Sequence, residues 1–255
     1  MKNEKFGFGI IGCGVIAPTH VKAIVACPEA ELVACCDVDE EKGRKFAADN
    51  GGVAFFADYR QMVADPRVDV VCVCTPSGLH AECAIAAAQA GKHVFCEKPL
   101  DIQREKMSAM IAACRQAKVK LGCVFQSRTY PDSIRIRQAI AKGVLGKMTL
   151  GDAFLKDYRS RAYYQSAGWR GTWALDGGGA LMNQGVHGVD LLLWLMNDEV
   201  ERVFARADHK VRDIEVEDTC VACLQFKSGA FGTIIGTTDR KSTRLNSSHR
   251  IRSRM

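Results

Sequence analysis

Six short apolar runs alternate with helix-like stretches over the first 125 residues, and this rhythm constrains the fold more than any other feature of the chain. The runs are Phe6–Ile11, Glu31–Cys36, Val53–Phe56, Val68–Cys74, His93–Cys96 and Val119–Phe125, and helix patterns over 17–27, 40–50, 59–64, 80–90 and 103–117 separate them. The Val68–Cys74 run (VDVVCVC) is nearly continuous in apolar residues, as in strands buried on both faces of a parallel sheet. Strand and helix in strict alternation predict a doubly wound α/β domain over 1–125. After Gln126 the rhythm changes. A helix is expected over 132–142, a strand over 148–158 and a long helix over 180–196. Three strand-like runs follow, Val200–Asp208, Asp218–Phe226 and Ala230–Thr237, with a hairpin turn at Lys227-Ser228-Gly229. Consecutive strands without intervening helices predict a second, α+β domain over 126–238 with a mainly antiparallel sheet.

Composition narrows the class. Hydrophobic residues make up 47% and charged residues 25%, which excludes wholesale disorder. No apolar run approaches the length of a membrane span. Gly7, Gly9, Gly12 and Gly14 interrupt the N-terminal apolar stretch, which therefore does not read as a signal peptide. The 12 cysteines are scattered through apolar runs, a use of Cys as a small core residue that points to the reducing cytoplasm. Cys220 and Cys223 lie three apart on a strand, so they point to opposite faces and no metal site is expected there.

The net charge of +6 invites a nucleic-acid reading until it is located. Residues 239–255 hold six Arg/Lys and one Asp, so almost all of the excess lies in that tail. The string DRKSTRLNSSH reads as a translated sequencing-library adapter, and Ser253-Arg254-Met255 fit its continuation. The tail is therefore expected to be non-native, to carry no ligand role, and to replace the remainder of a truncated natural chain. The nucleic-acid reading falls with it.

The chemistry-bearing residues sit where strands end. Gly9-x-x-Gly12-x-Gly14-x-x-Ala17 joins the first strand to the first helix. Gly12 permits the tight turn, Gly14 lets a pyrophosphate approach the backbone, and the helix N-terminus favours phosphate. Gly12, Cys13, Gly14, Val15 and Ile16 are thus the candidate phosphate cradle. Asp37 closes the second strand, where a carboxylate accepts hydrogen bonds from both ribose hydroxyls and repels a 2′-phosphate, favouring NAD over NADP. Thr75 and Pro76 close the Val68–Cys74 strand, His80 opens the next helix, and Glu97-Lys98-Pro99 closes the strand after it. Ligands of open α/β sheets sit beyond such strand ends. Desolvation there lowers an ammonium pKa and suits a lysine to proton chemistry.

GIIGCG (9–14), TPSGLH (75–80), EKP (97–99), WRGTW (169–173) and GGGALMNQGVHGVD (177–190), in this order, resemble the Gfo/Idh/MocA family of NAD(P)-dependent sugar and cyclitol oxidoreductases. The resemblance runs from Phe6 to Thr238. It implies an N-terminal Rossmann domain, a C-terminal open-faced antiparallel sheet that often builds dimers, and a sugar or cyclitol bound between the domains. A family-like sheet would place further strands beside the three from Val200 to Thr237, leaving an unpaired edge here with apolar faces such as Phe231, Ile234 and Ile235. Lys98 matches the family's EKP lysine, whose bond to proline is often cis. His187 matches the catalytic histidine. Trp169 and Arg170 match a pair found near cofactor and substrate, and Gln126 completes the implied cofactor set. Many members carry Asp four residues before the histidine, where this chain has Asn183. A continuous helix would place 183, 187 and 190 on one face. Asn holds a substrate hydroxyl but does not raise the histidine's pKa as a carboxylate does, which implies a difference in substrate class. The competing reading is a non-catalytic, cofactor-binding regulator, against which the retained Lys98 and His187 argue.

Overall fold

The computed structural model describes residues 5–239 of the chain. The tail reading covers residues 239–255, of which all but Asp239 lie outside the described residues. Two compact units divide the chain, one ending at Val124 and the other beginning at Phe125.

The first unit is a six-stranded sheet, all pairs parallel, in the order β3-β2-β1-β4-β5-β6. Its strands are β1 (Phe6–Ile11), β2 (Ala30–Cys36), β3 (Ala54–Phe56), β4 (Val70–Val73), β5 (His93–Cys96) and β6 (Leu121–Cys123). The crossovers are α1 (Ala17–Ala26), α2 (Glu40–Asp49), α3 (Tyr59–Ala64), α4 (His80–Gln89) and α5 (Arg104–Gln116). Val71, Cys72 and Val73 are buried. Val71 and Val73 belong to one core cluster, with Met62, Ala84 and Met110, and Cys72 to the other, with Ile10, Cys35 and Phe46. A strand sandwiched between two helical layers has no polar face to show, which is why its run is continuous. Asp39 caps α2 by accepting from the Lys42 N–H (3.1 Å), and Asp58 caps α3 by accepting from the Arg60 N–H (2.9 Å). The strand order reverses between β1 and β4, so the carboxyl ends of these two neighbours open a crevice.

The second unit begins with a 3₁₀ turn at Gln126–Thr129 and the helix α6 (Pro131–Ala141). Strand β7 (Leu150–Lys156), a short helix α7 (Arg161–Gln165), helix α8 (Val186–Met196) and strands β8 (Val200–Asp208), β9 (Thr219–Phe226) and β10 (Phe231–Thr237) follow. The sheet order is β7-β10-β9-β8. The β8–β9 and β9–β10 pairs are antiparallel, whereas β10 and β7 are parallel. One expectation is corrected here. The last strand is not an edge: β10 is paired on both sides, and the edges are β7 and β8. Along β10, Ile234 lies on the face opposite Phe231 and Ile235. It is buried in the core beneath α8, with Leu192, Met196, Ala222 and the fully buried Phe226. Gly151 admits α8 closely, since a Cβ there would lie 2.7 Å from both Leu192 and Met196.

The opposite face of this sheet is open. Phe154 on β7, Ile235 on β10 and Val221 on β9 stand in register across it. Phe204 (71% exposed) and Phe231 flank them. The alternation along β9 places Cys220 inside and Cys223 outside, on opposite faces as the spacing predicts.

The long helix expected over 180–196 is two pieces. Ala180–Gln184 is a π turn, closed by the Gly185 N–H donating to the Ala180 carbonyl (2.9 Å), and the α-helix begins only at Val186. Glu217 anchors the start of the turn. Its carboxylate accepts from the Gly179 N–H (2.9 Å) and the Leu181 N–H (2.8 Å), and its carbonyl accepts from the Ala180 N–H (2.9 Å). Gly179 is obligatory there, because a Cβ would fall 1.9 Å from the Glu217 carbonyl oxygen. Asn183 therefore does not continue the helical phase of His187 and Asp190, and the single face expected for the three residues is not formed by one helix.

Candidate active site

At the end of β1 the chain turns through Gly12 at φ +94°, and a Cβ there would lie 2.7 Å from the Cys74 carbonyl oxygen at the end of β4. Only glycine meets both demands. Gly14 is its opposite: a Cβ there would meet nothing within 4 Å, so the space above the turn is open. The N-terminus of α1 carries no side-chain cap, and Val15 beside it is 89% exposed. An open turn against an uncapped helix start fits a pyrophosphate.

Asp37 is buried at 6% exposure and already oriented. Its Oδ2 accepts from the Cys13 N–H (2.8 Å) and pairs with Lys42 Nζ (2.8 Å), and its Oδ1 accepts from the Asp39 N–H (3.0 Å). The carboxylate thus ties the end of β2 to the glycine turn. The Lys42 ammonium is half-exposed and is the displaceable partner.

Thr75 and Pro76 follow β4, and a 3₁₀ turn at Ser77–Leu79 leads into α4. His80, offered by the sequence as a cofactor contact, is instead 1% exposed. Its Nδ1 lies 2.8 Å from the Pro99 carbonyl and its Nε2 2.9 Å from the Thr75 carbonyl. Burial pushes the imidazole pKa down, against the pull of those two carbonyls. This histidine braces two strand-end loops from below and does not reach out of them.

Glu97 and Lys98 end β5. Glu97 Oε2 accepts from the Lys98 N–H (3.1 Å), and Oε1 lies 2.9 Å from His20 Nε2 on α1. Burial pushes the Glu97 carboxyl up, but the hydrogen bond and charge of His20 and the Lys98 N–H outweigh it, holding the group below its usual range. The Lys98–Pro99 peptide is cis. Asp101, fully buried, accepts from the N–H groups of Ala81 (3.1 Å), Ile102 (2.7 Å) and Gln103 (3.0 Å), fastening this loop to the start of α4. His20 and Asp101 were not legible as site residues. Their partners lie 77 and 20 positions away, and no motif joins them.

In the second unit the structure brings together residues from three segments. Asn183 Nδ2 donates to Asp176 Oδ1, and Asp176 Oδ2 accepts from the Gly171 N–H (2.8 Å). Asp176, 1% exposed, is a third residue that sequence reading missed. His187, one residue into α8, meets the Phe125 ring edge-on at 6.0 Å between centroids. Asp190, one turn later, forms a two-pronged ion pair with Arg128, whose Nε lies 2.7 Å from Oδ2. Gln126, Trp169 and Arg170 are also in this unit, with the Arg170 guanidinium 4.7 Å from the Trp169 ring centroid. The glycine turn, Asp37, Thr75, Pro76, His80, Glu97 and Lys98 belong to the first unit.

Comparison with known proteins agrees with this division. Residues 6–125 match the model described as oxidoreductase family, NAD-binding Rossmann fold, and residues 134–252 match the GFO/IDH/MocA C-terminal domain. Myo-inositol 2-dehydrogenase of Thermotoga maritima is 31% identical over 230 residues, covering 89% of this chain and 66% of that protein. The 1,5-anhydro-D-fructose reductase of Ensifer adhaerens is 33% identical, covering 87% of this chain and 66% of the reductase. Among solved structures, the WlbA dehydrogenase from Bordetella pertussis in complex with NADH and UDP-GlcNAcA superimposes with a TM-score of 0.90 at 39% identity, over 94% of this chain and 69% of that one. The chain spans just under two thirds of the length of these curated relatives. The chain belongs to the Gfo/Idh/MocA oxidoreductase family, and its first unit is that family's NAD-binding Rossmann domain.

Proposed function

We propose that this chain is the larger part of an NAD-dependent dehydrogenase that acts on a hydroxyl or keto group of a sugar, sugar derivative or cyclitol. One observation carries the reading. Gly12, Thr75 and Lys98 follow three adjacent parallel strands, β1, β4 and β5, at the same end of the sheet, so the glycine turn and the strand-end lysine lie along one rim. The residues present fit the dinucleotide: Gly14 leaves the room, α1 offers uncapped amides, and Asp37 is held in place for the ribose diol.

Residues 1–125 serve as the dinucleotide-binding domain and 126–238 as the substrate and oligomerisation domain. Bound NAD supplies the hydride acceptor. His187 removes the proton of the reacting hydroxyl as general base, a role suited to imidazole near neutral pH. Lys98 donates a hydrogen bond to the same oxygen and stabilises the charge that develops there. Its backbone is held by Glu97, which His20 holds in turn. Asn183, fixed by Asp176, and Arg170 orient neighbouring substituents of the ring. The open face with Phe154, Val221, Phe204 and Phe231 supports assembly with a second copy, since large apolar sheet faces seldom remain in water. The 39% identity to a dehydrogenase solved with UDP-GlcNAcA makes that nucleotide-linked sugar acid the first substrate to try.

The test is a titration with NAD and NADP, followed by NADH absorbance with inositols, free sugars and UDP-GlcNAcA. Measurable NAD binding with NADH formation from at least one of them is expected. A chain that binds no dinucleotide would overturn the reading.

A further inference from the structure

Arg159, Tyr163, Arg170 and Gln184 form a closed cluster within the second unit. Arg159 donates from Nε (2.9 Å) and Nη2 (2.6 Å) to Gln184 Oε1. Gln184 Nε2 donates to the Tyr163 hydroxyl oxygen (2.8 Å), and Arg170 Nη1 donates to the same oxygen. The Arg170 guanidinium lies 4.2 Å from the Tyr163 ring centroid, and that of Arg159 lies 5.1 Å from it. Two cations are therefore gathered on one phenol through neutral groups, and neither has a carboxylate partner among the described residues. Asp176, the acid close in sequence to Arg170, already accepts from Gly171 and Asn183.

The cluster also has donors to spare. Arg170 Nε is buried and has no hydrogen-bond partner. The Tyr163 oxygen receives two N–H groups, so its own O–H must point elsewhere, and no acceptor for it is present among the described residues. A planar guanidinium edge beside a hydroxyl donor matches a planar anion with two oxygens. Like charges gathered at one spot also lower each other's cost when such an anion sits between them.

We propose that this cluster is the subsite for a carboxylate carried by the sugar substrate, an assignment that rests on the dehydrogenase reading above and narrows it to acidic sugars. A neutral polyol would leave both guanidinium groups uncompensated and Arg170 Nε unmet. The phosphate cradle of the first unit is built differently, from glycine backbone and a helix start, so the two anion sites divide the labour between cofactor and substrate.

The experiment is calorimetric titration of the 255-residue chain, without dinucleotide, with UDP-GlcNAcA and with UDP-GlcNAc, which keeps the diphosphate and lacks the carboxylate. The unaltered chain should bind the acid about tenfold or more tightly than its neutral counterpart, the scale of one charge-assisted pair. Arg159→Gln should remove most of that preference while leaving UDP-GlcNAc affinity nearly constant, whereas Arg170→Gln, which also loses the ring-orienting contact proposed above, should weaken both ligands and the acid by more. Tyr163→Phe keeps the ring and should remove part of it, which preserves the test if an arginine variant melts early. Equal binding of the two ligands by the unaltered chain would overturn the proposal. So would parallel loss of both ligands in the variants, which would give the cluster to the diphosphate instead. A chain that keeps the acid preference yet never forms NADH supports the subsite and sinks the dehydrogenase reading alone.

Discussion

The two sheets of this molecule solve the same problem in different ways. In the first unit helices cover both faces of a parallel sheet, and the candidate functional groups lie at the rim where strands end. In the second, α8 covers one face only, and the candidate functional groups lie in the connections before and within the helical segment, from Arg159 to Asp190. The difference shows where each unit is vulnerable. The first depends on backbone conformation at its strand ends, and the second on side chains that tie irregular segments together.

The sharpest break should come from the two residues proposed for proton chemistry, one from each unit. Lys98→Ala and His187→Ala are each expected to cost about 10²–10⁴-fold in turnover while leaving NAD affinity nearly intact. Steady-state rates beside NAD titration check this, and near-normal turnover would remove that residue from the mechanism. Next in size is Gly12→Ala, which forces a side chain onto the Cys74 carbonyl at a positive φ. About 1–3 kcal/mol of strain is expected, with weakened NAD binding, measured by melting temperature and titration. Gly14→Ala offers the contrast, with stability nearly kept because its Cβ has space, and NAD affinity reduced.

Asp37→Ala should weaken NAD by about tenfold or more and narrow its advantage over NADP, since a carboxylate hydrogen bond contributes about 1.5–3 kcal/mol. Equal affinity of the unaltered chain for both dinucleotides would remove Asp37 from cofactor choice.

Acid tests both units at once. Asp218 is fully buried, which pushes its pKa up, but the N–H groups of Lys210, Arg212 and Val211 outweigh burial and hold it low, as His20 and Lys98 do for Glu97. A carboxyl depressed in the folded state stabilises fully above its unfolded pKa of about 4, and that contribution is lost as pH falls through the folded value. Trp169, Trp173 and Trp194 all lie in the second unit, so tryptophan fluorescence reads that unit while hydrogen exchange at β4 reads the first. Asp218→Asn should lower the fluorescence-detected melting temperature at neutral pH and flatten its fall in acid. An unchanged acid profile would show that the three N–H bonds contribute nothing net. The smallest effect is expected at Phe204→Glu, within about 0.5 kcal/mol for the isolated chain because the ring is already in water. Its test is sedimentation: the substitution should reduce self-association if the open face is where copies meet.

Legibility in the sequence followed the same divide. The parallel strands were readable because total burial writes a continuous apolar run, and Gly12 and Gly14 because a turn of that geometry permits few residues. The β7–β10 pairing was not, since those strands are some 80 positions apart and parallel pairing leaves no hairpin signal. The π turn was hidden as well: ALMNQ is compatible with an ordinary helix, and Glu217, which anchors its start beside Gly179, is brought in from some 35 positions away. Asp176 and His20 matter through partners that periodicity does not mark. The buried posture of His80 was not legible, because a histidine at a helix start reads the same whether it faces outward or holds up a loop.

The π turn has a consequence for how relatives of this chain can diverge. It houses one residue more than an α-helical turn would, so losing any single residue between Ala180 and Gln184 would let α8 run straight through. The segment before the turn, held by Glu217, could then keep its place while the side chains within the turn shift by one position. A residue other than Asn183 would stand beside Asp176. A single lost codon, with no change to the histidine, would be enough to change the side chain held one turn before it.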